Sequence, residues 1–191
     1  MNWGNSTTEL GWVPIAVVFA ATAIAGVTDL WKFRVYNALT LPLILSGLIY
    51  HSLVGGWTGI AVSSVGMLFG FSVLILPHLL GLMGAGDVKL MAGIGAWFGF
   101  TATAAVFAVT AMVSGALAII LITRRGELRE SWTTIKMILI RFTFAPAHIG
   151  KDDFISVLAR GSDRRLRAIP FAAMVPVGVG LTCYVLRSGV L

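Results

Sequence analysis

The sequence predicts an all-α fold: a polytopic integral membrane protein of about six transmembrane helices with both termini extracytoplasmic. Three observations carry that expectation. Of 191 residues 58% are hydrophobic and only 12% charged, and the mean hydropathy is +0.92. A soluble domain carries about 25% charged residues, so a water-soluble enzyme, a disordered chain and a secreted scaffold are excluded together. The apolar residues also fall into runs of the roughly 17 to 25 residues that cross a bilayer. Finally, the basic residues gather in alternate connections, which sets an orientation.

Taken in order, the first ten residues hold Glu9 but no Lys or Arg. The basic start of a cleavable signal peptide is therefore missing, and the first apolar run, Gly11 to Val27, is expected to remain as a span. Ala38 to Val54 and Thr58 to Leu80 follow as two more, and Ala168 to Leu186 as the last. The stretch from Val88 to Ile122 is too long for one crossing. At about 1.5 Å per residue it makes a rod of about 50 Å, against a hydrocarbon core of about 30 Å.

Charge decides how that stretch folds. If it turns near Gly99, after Trp97 and Phe98, the connections 28–37, 81–89 and 123–167 share one side and hold thirteen of the fourteen Lys and Arg residues. Only Arg187 lies opposite, and the Gly55-Gly56-Trp57 turn and the turn near Gly99 carry none. The positive-inside rule then places the three basic connections in the cytoplasm. A single long span would divide the same thirteen charges ten against three, so six spans are expected.

The chain reads as one membrane-embedded domain, 1–191, with a basic cytoplasmic connection at about 123–167 and no linker. Within that connection Trp132, Ile135, Leu139 and Phe142 recur at helical spacing beside Lys136 and Arg141. This pattern predicts an interfacial helix on anionic lipids. Small residues at Gly66/Gly70 and Gly95/Gly99 are spaced for helix contact, and Pro42, Pro77, Pro170 and Pro176 sit in or beside spans, where bends are tolerated. The basic excess reports topology rather than nucleic-acid binding. Cys183 is the single cysteine, which excludes an internal disulfide and every zinc framework built on cysteine pairs. His51 and His78 lie in different spans without ligand companions and read as packing residues, and His148 as a solvated one. No metal and no cofactor are expected.

Of eight acids, Asp29 and Asp87 alone sit at span ends, and both lie at the expected cytoplasmic face. A carboxylate near hydrocarbon is costly, and two at one depth suggest a shared task. Each also has a plain structural reading: Asp29 as a boundary residue paired with Lys32 or Arg34, Asp87 as a helix N-cap behind Gly84-Ala85-Gly86. Together they offer more. Two close carboxylates share one proton. The ionised one can then take a proton from water while the protonated one polarises a scissile carbonyl. Glycines beside Asp87 would let an extended peptide approach the backbone. Lys89 reads as a boundary anchor or a charge beside Asp87, and Asn37 as a cap of the second helix or an organiser of the site.

The run Thr28-Asp29-Leu30-Trp31-Lys32-Phe33-Arg34-Val35-Tyr36-Asn37 resembles the first catalytic box of the type IV prepilin peptidases. Gly84-Ala85-Gly86-Asp87-Val88-Lys89-Leu90-Met91-Ala92 is similar to their second, the G-x-G-D motif, and Ile169-Pro170-Phe171-Ala172 resembles the I-P-F segment that opens their last span. The resemblance runs from about residue 12 to 186. Tyr36 stands where the family usually has Pro.

The resemblance implies an intramembrane aspartic endopeptidase of the bacterial inner membrane. Its active site would face the cytoplasm and remove the leader of prepilin and pseudopilin substrates for pilus assembly. Asp29 and Asp87 match the two catalytic aspartates, with Gly84, Gly86, Lys89 and Asn37 supporting or contacting substrate. Bifunctional members carry a cytoplasmic insert with paired cysteines and methylate the new N-terminus. This chain has neither, so no N-methyltransferase activity is expected, and its size resembles the branch serving tight-adherence (Flp) pili. Two other readings use the same residues: a proton- or cation-coupled transporter built on Asp29 and Asp87, and a non-catalytic pilus assembly factor.

Overall fold

Lipid offers the backbone no hydrogen-bond partner, so apolar segments satisfy their N–H and C=O groups as helix. The computed structural model describes residues 11–32, 36–79, 83–125 and 171–187, and nearly all of them are helical. They form α1 (Trp12–Lys32), α2 (Asn37–Leu79), α3 (Ala85–Arg125) and α4 (Phe171–Arg187). In α1, α2 and α3 the stretches Trp12–Trp31, Asn37–Leu79 and Ala85–Ile120 are long and apolar enough to cross a membrane, and Phe171–Val185 is a shorter apolar stretch. Large apolar side chains such as Leu45, Ile49, Leu68 and Phe71 lie on the outside, as lipid contact requires. The remainder of the basic connection beyond Arg125, including Trp132, Ile135, Leu139, Phe142 and His148, lies outside the described residues, as do both termini.

Both long helices are interrupted. Gly56 adopts φ 55°, ψ −137° inside α2, and Gly99 adopts φ 70°, ψ −173° inside α3. Positive φ is open to glycine at little steric cost, and each break divides its helix into two arms. In α2 the chain reverses: a Cβ on Gly59 would collide with the carbonyl of His51, eight residues earlier. The expected turns at Gly55-Gly56 and Gly99 are thus where the helices break.

The first arm of α3, residues 85–98, lies between the two arms of α2. Alongside the first arm it runs parallel: Leu43 packs on Gly93, Gly47 on Ala96 and Trp97, and the Trp97 indole N–H donates to the Leu43 carbonyl at 2.9 Å. Alongside the second arm it runs antiparallel, with Gly66 against Gly95 and Gly99, and Gly70 against Met91. These glycines let backbone meet backbone, which is how helices pack where lipid is as apolar as leucine. Val88 and Leu90 through Gly99 are consequently all buried.

The break at Gly99 strips helical partners from the carbonyls of the preceding turn. Two side chains from α2 supply substitutes: Ser63 Oγ donates to the Ala96 carbonyl at 2.7 Å, and His51 Nε2 donates to that of Trp97 at 2.9 Å. Tyr50 stacks on the Trp97 ring at 5.1 Å between centroids.

α4 runs antiparallel to α1, with Gly26 facing Ala172, Ala173 and Pro176, and Phe19 facing Gly180. Gly178 abuts Thr110 of α3. Val18, Val106, Val175 and Val179 close this part of the core.

The chain divides into two compact units, one of Met1–Ser114 with Pro170–Leu191 and one of Gly115–Ile169. The packing above belongs to the first. Of the second, the described residues are the last turns of α3, where Thr123 Oγ1 donates back to the carbonyls of Ile119 and Ile120.

Candidate active site

One end of the first unit gathers the end of α1 and the starts of α2, α3 and α4. α1 continues past Val27, where its apolar run stops, to Lys32, because backbone hydrogen bonding rather than side-chain polarity decides where a helix ends at a membrane boundary. Asp29 is therefore a helical residue, 8% exposed. Its carboxylate faces the backbone N–H of Ala172 in the first turn of α4 and is stabilised by it. The neighbouring Thr28 hydroxyl donates to the carbonyls of Ile24 and Ala25 and is thereby directed back along the helix.

Asp87 is the third residue of α3 rather than its N-cap, and the helix starts at Ala85 rather than at Val88. Gly84 takes the cap position. The Asp87 N–H donates to the Gly84 carbonyl at 3.2 Å, and the Asp87 carboxylate turns back toward the Gly84 N–H. An acid at the third helical position turned toward the cap N–H is the arrangement of a capping box. The N-cap alternative for Asp87 does not hold, because Ala85 and Gly86 are themselves helical and the acid reaches back over them. The carboxylate lies within electrostatic reach of Asp29. Its Oδ1 is buried and has no hydrogen-bond partner among the described residues.

The other expected residues fall around this pair. Gly84 is exposed and Gly86 half-buried, so the backbone in front of Asp87 is lightly covered, and a Cβ on Gly84 would stand 3.5 Å from Asp87 Oδ2. Lys89 Nζ donates to Asn37 Oδ1 at 2.8 Å, joining the second turn of α3 to the first turn of α2. His78 closes the far side of the α2–α3 connection, its Nδ1 donating to the Met83 carbonyl at 3.0 Å. Both His51 and His78 are thus helix-end donors. Among the described residues no three of His, Cys, Asp and Glu are grouped to hold a metal ion.

The sequence reading missed Ala172. An alanine carries no side-chain chemistry, and its contribution is a backbone N–H delivered by tertiary packing.

Comparison with known proteins follows the same residues. The type IV leader peptidase family matches residues 16–121, which include both acids and both breaks. The prepilin leader peptidase/N-methyltransferase of Aeromonas hydrophila is 33% identical over 134 residues, covering 65% of this chain and 43% of that protein. The proteins of the same description from Neisseria gonorrhoeae and Burkholderia pseudomallei are each 34% identical, over 98 and 100 residues, covering 48% and 49% of this chain and 34% and 32% of theirs. The chain therefore spans less than half the length of these curated relatives. No solved structure matches it. With more than half of its residues matched by the family and both acid-bearing helix ends inside the match, the chain belongs to the type IV leader peptidase family.

Proposed function

We propose that this chain is an intramembrane aspartic endopeptidase that removes the leader of prepilin-like substrates at the cytoplasmic face of the bacterial inner membrane. The observation that carries the reading is that Asp87 lies within electrostatic reach of Asp29 on a separate helix, with one Asp87 oxygen buried and without a hydrogen-bond partner among the described residues. A buried carboxylate oxygen without a donor is costly for folding alone and is placed for water, a proton or a peptide carbonyl.

The chemistry follows from one proton held by the pair. The ionised carboxylate takes a proton from water as that water's oxygen bonds to the scissile carbonyl carbon. The protonated carboxyl donates to the carbonyl oxygen. Collapse of the tetrahedral species breaks the C–N bond, the amine leaves with a proton from the pair, and the products are a leader carboxylate and a new N-terminus. Gly84, Ala85 and Gly86 leave room for an extended peptide beside Asp87. The tie between Lys89 and Asn37 holds the two helix starts around it. The basic connection serves as an anchor on anionic lipids, and the proposal is confined to the peptidase reaction.

Depth supports this reading over transport. Trp12 and Trp31 are 80% and 83% exposed at opposite ends of α1. Their separation of about 28 Å, at about 1.5 Å per residue, matches the roughly 30 Å of hydrocarbon, and exposed Trp favours membrane interfaces. Asp29 lies two residues inside Trp31, whereas transporters bind near the midplane. In the topology proposed, the chain crosses six times with both termini outside.

Co-expression with a prepilin and a gel assay for leader loss tests the proposal. Cleavage that requires both aspartates is the expected result. No cleavage of any prepilin, with proton flux into liposomes that depends on both acids, would replace it with the transport reading.

A further inference from the structure

The contact between Asp29 and the start of α4 goes beyond the matched region, which ends at residue 121. Two independent features join these helices at this point. The Asp29 carboxylate faces the Ala172 N–H and is stabilised by it. One turn earlier, Gly26 is so close to α4 that an added Cβ would stand 3.3 Å from each of the Ala172 carbonyl oxygen, the Ala173 Cα and the Pro176 ring. Ala172 itself is fully buried, so the donor is not shared with water.

We infer that the first turn of α4 is a positioning element for Asp29, with the Ala172 N–H fixing the carboxylate and the close approach at Gly26 fixing the register of the two helices. The first N–H groups of a helix have no partner inside it and lie at the positive end of its dipole, so the donor is free for a carboxylate from another helix. Ala172 is the second residue of α4, and its N–H belongs to that set. A side chain steadied by an N–H of a separate helix is displaced when that helix moves, and displacement of a reacting group by about 1 Å can cost about a hundredfold in rate. The inference rests on the proposed peptidase function for its catalytic consequence but not for the contact itself.

The test uses the full chain purified in detergent. Ala172→Pro removes this N–H at a helix position where proline is tolerated, while Ala172→Ser keeps it. Gly26→Ala keeps the donor but pushes α4 away. Ala172→Pro and Gly26→Ala should each lower kcat for leader cleavage by about ten- to a hundredfold, with KM changed by less than about threefold, and Ala172→Ser should restore cleavage. Independently, the infrared carboxyl band assigned to Asp29 by difference against Asp29→Asn should shift in Ala172→Pro and stay in place in Ala172→Ser. A band unmoved by Ala172→Pro overturns the inference, and so does equal loss of activity in Ala172→Pro and Ala172→Ser. If the unmodified chain cleaves no prepilin but the band shifts, the contact stands and the peptidase reading fails.

Discussion

Lys89 Nζ and Asn37 Oδ1 meet at 2.8 Å, tying the second turn of α3 to the first turn of α2 two residues beyond Asp87. A charge-assisted bond at an exposed position adds little to global stability, so its removal should be felt in geometry rather than in folding. Asn37→Leu and Lys89→Met are each expected to lower cleavage by about three- to tenfold, on the scale of one modest hydrogen bond, with membrane levels unchanged. A combined variant no worse than either single one would show that the two act as a unit.

Replacement of either acid should be far more severe. Asp29→Asn and Asp87→Asn keep size but cannot exchange a proton with water. Each should reduce leader removal by about 10²- to 10⁴-fold, the usual worth of a positioned acid or base. Asn at Asp152, Asp153 or Asp163 should be harmless. Normal processing by Asp29→Asn or Asp87→Asn would sink the assignment.

Activity against pH should fall on both sides. At low pH both carboxyls are protonated and the base is lost. At high pH both are ionised and the acid is lost. EDTA should leave the purified protein active in detergent. A monotonic profile, or inhibition by chelator reversed on adding a metal, would require different chemistry.

Packing between α2 and α3 makes its own prediction. A Cβ on Gly66 would strike the Gly95 carbonyl and the Gly99 backbone, whereas a Cβ on Gly115 meets nothing within 4 Å. Gly66→Ala should destabilise by about 1–3 kcal/mol through overpacking, lowering the amount of folded protein in membranes. Gly115→Ala should be neutral or gain up to about 1 kcal/mol of helix propensity. Thermal aggregation in detergent measures both.

Orientation is open to labelling. In a Cys183→Ser background, cysteines at residues 33 and 130 should be shielded from impermeant thiol reagents applied outside the cell, and one at Gly56 should react. Labelling at 130 from outside would overturn the topology.

The residues that made the site legible in sequence carry charge or lack a side chain. Asp29 and Asp87 stood out because acids at span ends are expensive, and Gly66, Gly70, Gly95 and Gly99 because small residues at helical spacing mark contacts. Gly56 and Gly99 were legible as interruptions from span length and charge distribution, and the helices break there. What escaped was set by tertiary structure. Gly84-Ala85-Gly86 looks like a turn, yet its last two residues are helical because Asp87 caps from inside the helix. Ser63 and His51 gained their roles from carbonyls exposed by a break thirty or more residues away. Ala172 acts through an N–H that every residue but proline possesses.

The buried first arm of α3 also bears on biogenesis. At 85–98 it is shorter than the roughly 20 residues that span a bilayer unaided, and its bare glycine backbone at Gly93 and Gly95 packs on protein. The α2 hairpin leaves the ribosome first and presents the complementary glycines of Gly66 and Gly70 with the Ser63 hydroxyl. It is therefore a mould waiting in the membrane for the arm that follows. Chain order then becomes part of the folding instruction: the same helices synthesised with α3 ahead of α2 would have no surface on which that short arm could lodge.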